Sequence, residues 1–192
     1  MTVSALRPDG IRRSDGALLS LVHRGDLSAL GELYDRYHAD VWRVLHRVMS
    51  GGADVDDLVQ ATFLALPKIA GSFEGDGPCR GWMCGIAVRL ASRQRRSLAR
   101  WLGALTSFGQ ASSAVSVRDP ESHASEREDL RRFETALGKI SPKKRDAFVL
   151  VELEGVAVED AARALGVPVP TIRTRLFHAR NELRAAMHQG QR

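Results

Sequence analysis

The chain has 192 residues, enough for one medium domain or two small ones and too few for a large multidomain enzyme. Hydrophobic residues make up 44% and charged residues 27%, so the chain can bury a core and is not disordered throughout. Lys+Arg 28 against Asp+Glu 23 leaves a net charge of +5, a basic balance that favours an anionic partner without naming one.

Residues 1–16 carry Gly, Pro, Asp, Arg and Ser without hydrophobic period and read as a flexible leader. They lack the apolar centre of a signal peptide, and no run reaches the length of a membrane span, so a cytoplasmic protein is expected. The pattern changes at Ala17. Leu30, Leu33, Tyr34, Tyr37, Val41, Val44, Leu45 and Val48 recur at three- and four-residue steps, which predicts one long amphipathic helix ending near Gly51-Gly52. A second helix follows, with Asp54 as its cap, Asp56 and Asp57 in its first turn, and Leu58, Val59, Thr62, Phe63 and Leu66 inward until Pro67. Four glycines and one proline make 71–81 a loop, after which Trp82 opens a third helix with Ile86, Ala87, Leu90 and Ala91 inward.

The outer face of that third helix carries Arg89, Arg93, Arg96 and Arg100, with Arg95 nearby, and no acidic residue occurs between Gly77 and Arg118. Like charges at this spacing repel, so the run points to an external polyanion rather than to a solvated face. Residues 101–128 turn Ser-, Ala- and Gly-rich and then acidic, the composition of an interdomain linker. Helical spacing resumes at Leu130, Phe133, Leu137 and Ile140. Ser141-Pro142 then starts a helix expected to run to Gly155. Two short helices, 159–165 and 169–187, close the chain around the turn Gly166-Val167-Pro168. No stretch alternates as a strand would. The expected fold is all-α: two small helical domains, 17–100 and 129–192, joined by a flexible linker, with a helix-turn-helix in the second.

The last helix can be read by geometry. At about 100° per residue, Ile172, Leu176, Ala179 and Leu183 share the packed side. Thr171, Thr174 and His178 lie opposite, flanked by Arg173 and Arg175. Arginine bonds guanine edges or phosphates and threonine meets phosphates or thymine methyls, chemistry that suits the major groove. No nucleophile-base pair, phosphate loop or metal cluster supports an enzyme, and no cofactor is expected. Cys79 and Cys84 read as two reduced thiols, with a sensing disulfide or a zinc clip as the alternative.

The run from Thr171 through Ile172-Arg173-Thr174-Arg175-Leu176 to Arg184, preceded by Gly155-Val156-Ala157-Val158-Glu159-Asp160 and Leu165-Gly166-Val167, closely resembles the C-terminal domain of bacterial extracytoplasmic-function (ECF) sigma factors. Asp54-Val55-Asp56-Asp57-Leu58-Val59-Gln60 resembles that family's polymerase-binding helix, and Arg80-Gly81-Trp82-Met83-Cys84-Gly85-Ile86 resembles its promoter-melting segment. The resemblance covers about residues 17–187, with the motifs in the family's order. It implies a factor that binds core RNA polymerase, directs it to promoters and assists opening. Asp54, Asp57, Leu58, Gln60 and Phe63 would dock on the clamp of the largest subunit, where the charge of -4 over residues 54–76 suits a basic protein better than DNA.

Phe73, Arg80, Trp82, Arg89, Arg93 and Arg96 would engage the -10 element, an unpaired base stacking on the aromatic groups while arginines hold the strand. Thr171, Arg173, Thr174, Arg175 and His178 would read the -35 element. The linker would follow the family's path along the active site and RNA exit. An anti-sigma partner would hold the protein inactive. The chain departs from the family at Arg89, where asparagine is common, and at Pro168 and Pro170, where a Ser-type cap is usual near 168. Two other readings stay open on the residues alone: a helix-turn-helix repressor or activator that binds duplex DNA by itself, and an adaptor that binds only protein.

Overall fold

The computed structural model describes residues 13–50, 52, 54–74, 78–106 and 126–189. Among these residues every regular element is helical. The first unit consists of α1 (Asp15–His23), α2 (Leu27–Met49), α3 (Val55–Ile69), a 3-10 turn (Ala70–Ser72) and α4 (Arg80–Thr106). The second consists of α5 (Glu126–Lys139), α6 (Pro142–Phe148), a π-helical turn (Val149–Leu153), α7 (Val158–Leu165) and α8 (Val169–Gln189). The leader up to residue 12 and most of the acidic linker lie outside the described residues.

Several expected boundaries move. The long helix expected on the stripe from Leu30 to Val48 is α2, and a separate helix, α1, precedes it. Gly25 sits at φ +91°, which ends α1, and the Asp26 carboxylate then accepts from Ser28 N (2.8 Å) and Ala29 N (3.1 Å) to start α2. α4 begins at Arg80, two residues before Trp82, and runs to Thr106, into the stretch read as linker. The helix expected from Ser141 to Gly155 is α6 followed by a π turn, in which Glu154 N–H donates to Val149 O across five residues (3.0 Å). Pro67 lies inside α3, which continues to Ile69. Asp54 makes no side-chain cap; its carboxylate instead accepts from Gln94 Nε2 of α4 (2.7 Å).

The apolar stripes bury largely as their periods require. Leu33, Val41, Val44, Leu45 and Val48 of α2 are fully enclosed by Leu18 and Leu19 of α1, Leu66 of α3, and Met83, Ala87 and Ala91 of α4. At about 1.5–3 kcal/mol for each large apolar side chain, this packing dominates the first unit. Tyr34 departs from its stripe. It is 43% exposed, stacks on His38 (5.1 Å) and meets Phe63 with its ring tilted (4.8 Å) at the edge of the core. A polar knot fixes the start of α1: the buried Asp15 carboxylate accepts from Tyr37 Oη, from Arg36 and from Cys79 N (2.8 Å), joining α1, α2 and the approach to α4. Burial alone would raise this carboxyl, but the bonds from Tyr37, Cys79 and Arg36 outweigh it and hold its pKa below the usual range.

The two units touch. α7 lies against α4, and α5, α6 and the π turn meet α2. The close approach is made at Gly85, where an added Cβ would stand 2.8 Å from Ala164 Cβ, a distance no side chain tolerates.

Candidate nucleic-acid interface

α8 follows the helical reading most closely. Ile172, Leu176, Ala179 and Leu183 are buried against α6 and α7, which fixes the rotation of the helix and turns Arg173, Thr174 and His178 outward. Thr171 and Arg175 sit half-buried at the edges. Gly166 N–H donates to Arg163 O (3.3 Å) and Val167 N–H to Ala162 O (3.1 Å), closing α7 and setting the turn between the two helices. Pro168 and Pro170 are accommodated, since Pro168 O accepts from Thr171 N (2.9 Å) and Pro170 O from Thr174 Oγ1 (3.0 Å). Arg173 approaches Glu159 only at 4.0 Å and stays mostly exposed, so it is available to a ligand. The sequence reading passed over Phe177, which is 60% exposed beside Arg173 and Thr174; the same helical wheel would have found it.

The arginines of α4 contradict the expectation that they lack internal partners. Arg80 donates to the Glu154 carboxylate and to Glu154 O (3.0 Å) and stands 3.3 Å from Asp40. Arg89 donates through Nε to Ala164 O (2.8 Å) and through Nη2 to Arg163 O (3.1 Å), satisfying carbonyls at the end of α7. Arg95 donates to Val48 O (3.0 Å) and pairs with Asp146 (2.5 Å). Counter-charges absent from the local sequence are supplied by Glu154 and Asp146 of the other domain and by Asp40 of α2. Arg93, Arg96 and Arg100 are exposed and form no ion pair with a described residue. Phe73 and Trp82 meet edge to face at 5.4 Å, both half-buried, and with Ile86, Val156, Ala157 and Arg163 they line a cleft of about 780 Å³ between the domains.

The face assigned to the polymerase needs correction. Leu58 and Phe63 are core residues, 5% and 4% exposed, and hold α3 to its own domain. The outward side consists of Asp56, Asp57 and Gln60 with Leu64, which is 62% exposed. Trp42 of α2 joins it by donating from Nε1 to Asp56 (3.1 Å) and stacking on His46 (4.8 Å). The sequence reading passed over Leu64, although the helical wheel that turns Leu58, Val59, Thr62, Phe63 and Leu66 inward places it on the opposite side.

Buried charge concentrates where the domains meet. Glu154 accepts from Arg47 (3.0 Å) and Arg80, with its side chain 1% exposed. Arg145 is buried with Nε and Nη1 lacking a hydrogen-bond partner among the described residues, as does Asp146 Oδ1. Burial, reinforced by repulsion from Arg95, lowers the Arg145 pKa. Burial raises Asp146 to about 6 despite the arginines beside it. Cys79 and Cys84 are fully buried, and burial raises both thiols, Cys84 to about 12, so little thiolate forms at neutral pH. Among the described residues no group of three His, Cys, Asp or Glu side chains stands together to hold a metal. No helix among them is long and apolar enough to cross a membrane.

A helix-turn-helix with an outward basic face, joined to a second helical unit with a separate arginine-bearing helix, defines a transcription factor class. The Sigma-70 region 2 family matches residues 33–101, and the Sigma-70 region 4 family matches residues 130–183. The chain is 30% identical to the ECF RNA polymerase sigma factor SigM of Mycobacterium tuberculosis, over 89% of this chain and 83% of that protein. It is likewise 30% identical to the ECF sigma-E factor of Salmonella typhimurium, over 88% of this chain and 92% of that protein. The solved structure of CnrH in complex with the cytosolic domain of CnrY is 28% identical, covers 92% of this chain and 99% of its own, and superposes with a TM-score of 0.62. RpoE from Bartonella quintana, at 24% identity and a TM-score of 0.65, shares the fold. The chain belongs to the ECF sigma factors, which bind core RNA polymerase, direct it to specific promoters and assist promoter opening.

Proposed function

We propose that three separate faces divide the work of this sigma factor, with residues 17–100 serving polymerase and the -10 element, 129–192 the -35 element, and 101–128 connecting them. The outward side of α3, with Asp56, Asp57, Gln60 and Leu64 and the neighbouring Trp42, docks on the polymerase clamp. Its carboxylates around an exposed leucine suit a basic protein surface with an apolar centre. Asp54 contributes from the rim, while Leu58 and Phe63 act by holding the helix. Arg93 and Arg96, with Arg80 and Arg89 once released, hold the backbone of the opened -10 strand, and Phe73 and Trp82 offer an aromatic platform for an unpaired base. Arg173 and Arg175 read the -35 duplex with Thr171, Thr174 and His178, and Phe177 offers contact to a thymine methyl.

The observation that carries this reading is the segregation of α8 into a fully packed side and an outward side of Arg173, Thr174 and His178. The factor acts without catalysis, in the cytoplasm with the polymerase. By likeness to CnrH, whose structure is of a complex with the cytosolic domain of CnrY, an anti-sigma protein restrains it. Run-off transcription with core polymerase and a candidate promoter tests the whole: transcription should require the protein. Tight binding of duplex DNA by the protein alone, with no dependence of transcription on it, would replace this reading by that of a self-sufficient repressor or activator.

A further inference from the structure

The proposed function gives α1 no contact with polymerase or DNA, yet α1 contributes the only buried carboxylate of the first unit among the described residues, that of Asp15. The Cys79 N–H donates to it (2.8 Å) from 64 positions further along the chain. Cys79 is where α4 starts, since its carbonyl accepts from Met83 N (2.9 Å). α1 and α2 are capped by the residue just before them, Ser14 and Asp26 accepting from N–H groups of their own first turns. Among the described residues α4 has no side-chain cap of that kind: the Cys79 thiol donates to Met83 Sδ (3.5 Å) inside the core, and the first turn holds no acidic residue. The charge that meets the positive end of this helix comes from Asp15.

We propose that Asp15 is a positioning residue for promoter opening: from α1 it fixes the point at which α4 begins, and so sets Trp82 and Arg80 against Phe73 for capture of an unpaired -10 base. The inference rests on the -10 role proposed above for Phe73, Arg80 and Trp82.

Three observations support it. Cys79 lies six residues after Phe73 and three before Trp82, so the bond anchors the chain between two rings that meet edge to face at 5.4 Å. Arg80, Gly81 and Trp82 form the first turn of α4, the part of a helix that frays when its cap is lost, and Gly81 weakens that turn further. The carboxylate is itself rigidly held. Tyr37 Oη and Arg36 donate to it, and Arg36 is fixed in turn by Glu32 (2.9 Å) and Arg13 O (3.3 Å). These donors keep Asp15 ionised despite its burial, which is what a supporting group at a functional site requires.

The test uses the full chain with core polymerase, on the promoter that supports run-off transcription with the wild-type factor. Asp15→Ala removes the acceptor, and Asp15→Asn keeps an acceptor for Cys79 N but removes the charge. Circular dichroism establishes that each variant keeps its helices, and co-migration with core polymerase establishes that it is bound. Permanganate reactivity of the -10 thymines then reads opening of the duplex. Asp15→Ala should lower it about tenfold, as the loss of a hydrogen bond to a charged group implies. Asp15→Asn should lower it about threefold, the effect of losing a charge at a helix end. Run-off transcription from the same promoter with non-complementary -10 strands should return to near the wild-type level, because unpairing then needs no support from the aromatic pair.

Wild-type opening of the duplex by the variants would overturn the proposal, and Asp15→Asn decides the matter if Asp15→Ala loses its helices. A loss equal on both templates, or one that accompanies loss of polymerase binding, would also overturn it, since Asp15 would then only hold the domain together. Phe73→Ala and Trp82→Ala separate the proposal from the reading beneath it. If these two lower opening and the Asp15 variants do not, the aromatic platform stands and positioning fails. If neither aromatic substitution affects opening, the platform fails and the positioning role with it.

Discussion

α4 and α8 both carry arginines on a face that their apolar spacing turns away from their own core, yet the two faces meet different fates. On α8 the packed side is complete within the C-terminal domain, and Arg173, Thr174 and His178 remain outward. On α4 the face divides. Arg93 and Arg96 are exposed, whereas Arg80, Arg89 and Arg95 are engaged by carboxylates and carbonyls from residues 146–164. A helix without acidic neighbours in sequence is therefore not a helix without acidic neighbours in space. Charge runs locate a surface that attracts anions, and the fold decides whether the anion is a phosphate or the protein's own side chain.

The largest expected effect breaks the α8 side of this contrast. Ile172→Ala should cost about 2–5 kcal/mol, because its fully enclosed side chain leaves a cavity under the recognition helix. Urea unfolding measures the loss, and upstream-promoter binding should fall with it. A pair of arginine substitutions sharpens the contrast. Arg95→Ala should lower stability by about 1.5–3 kcal/mol by removing a charged hydrogen bond from the buried Asp146. Arg173→Ala should leave stability within about 0.5 kcal/mol. It should weaken binding to duplex -35 DNA by about 1–3 kcal/mol if it reads a base. Equal effects of the two on stability would show that α8 is no more open than α4.

Acidity tests the seam between the helices. Asp146 faces Arg95 of α4, Arg145 of α6 and Arg175 of α8, and burial raises its carboxyl from 3.8 to about 6. The folded state therefore holds that proton more tightly than the unfolded chain. The resulting stability is complete below about pH 4 and is lost as pH rises through about 6. Across this window the wild type should lose on the order of 2 kcal/mol relative to Asp146→Asn, which carries no titrating group there. Thermal unfolding of both across pH 4–7 checks it, and parallel profiles would remove the buried charge from the account. The smallest effect is expected at the surface of the second unit: Glu182→Gln breaks a pair with Lys144 (2.5 Å) that is substantially exposed and should cost only about 0.2–1 kcal/mol.

The helical architecture was legible because period and punctuation agree: the apolar steps of α2, α3 and α8, Pro142 at a helix start, and Gly166 at a helix end. The misreadings arose where a local rule met a tertiary competitor. Asp54 has the chemistry of a cap, but Gln94 takes its carboxylate. Phe63 resembles a docking aromatic, but Tyr34 and the core enclose it. The expected straight helix beyond Ser141 widens into a π turn, and Glu154 at its end reaches Arg47 and Arg80, residues separated from it by 107 and 74 positions. No sequence window contains such a pair.

The sequence by itself determined the all-helical class, which side of α8 faces inward, and the family to which the motifs point, because hydrophobic period and turn chemistry act over a few residues. Only the tertiary structure decided which charges are available, because ion pairing depends on distances between segments remote along the chain. The net charge of +5 is unchanged by folding. What folding changes is its distribution: α8 keeps Arg173 exposed, while part of the α4 charge is held against Asp146 and Glu154.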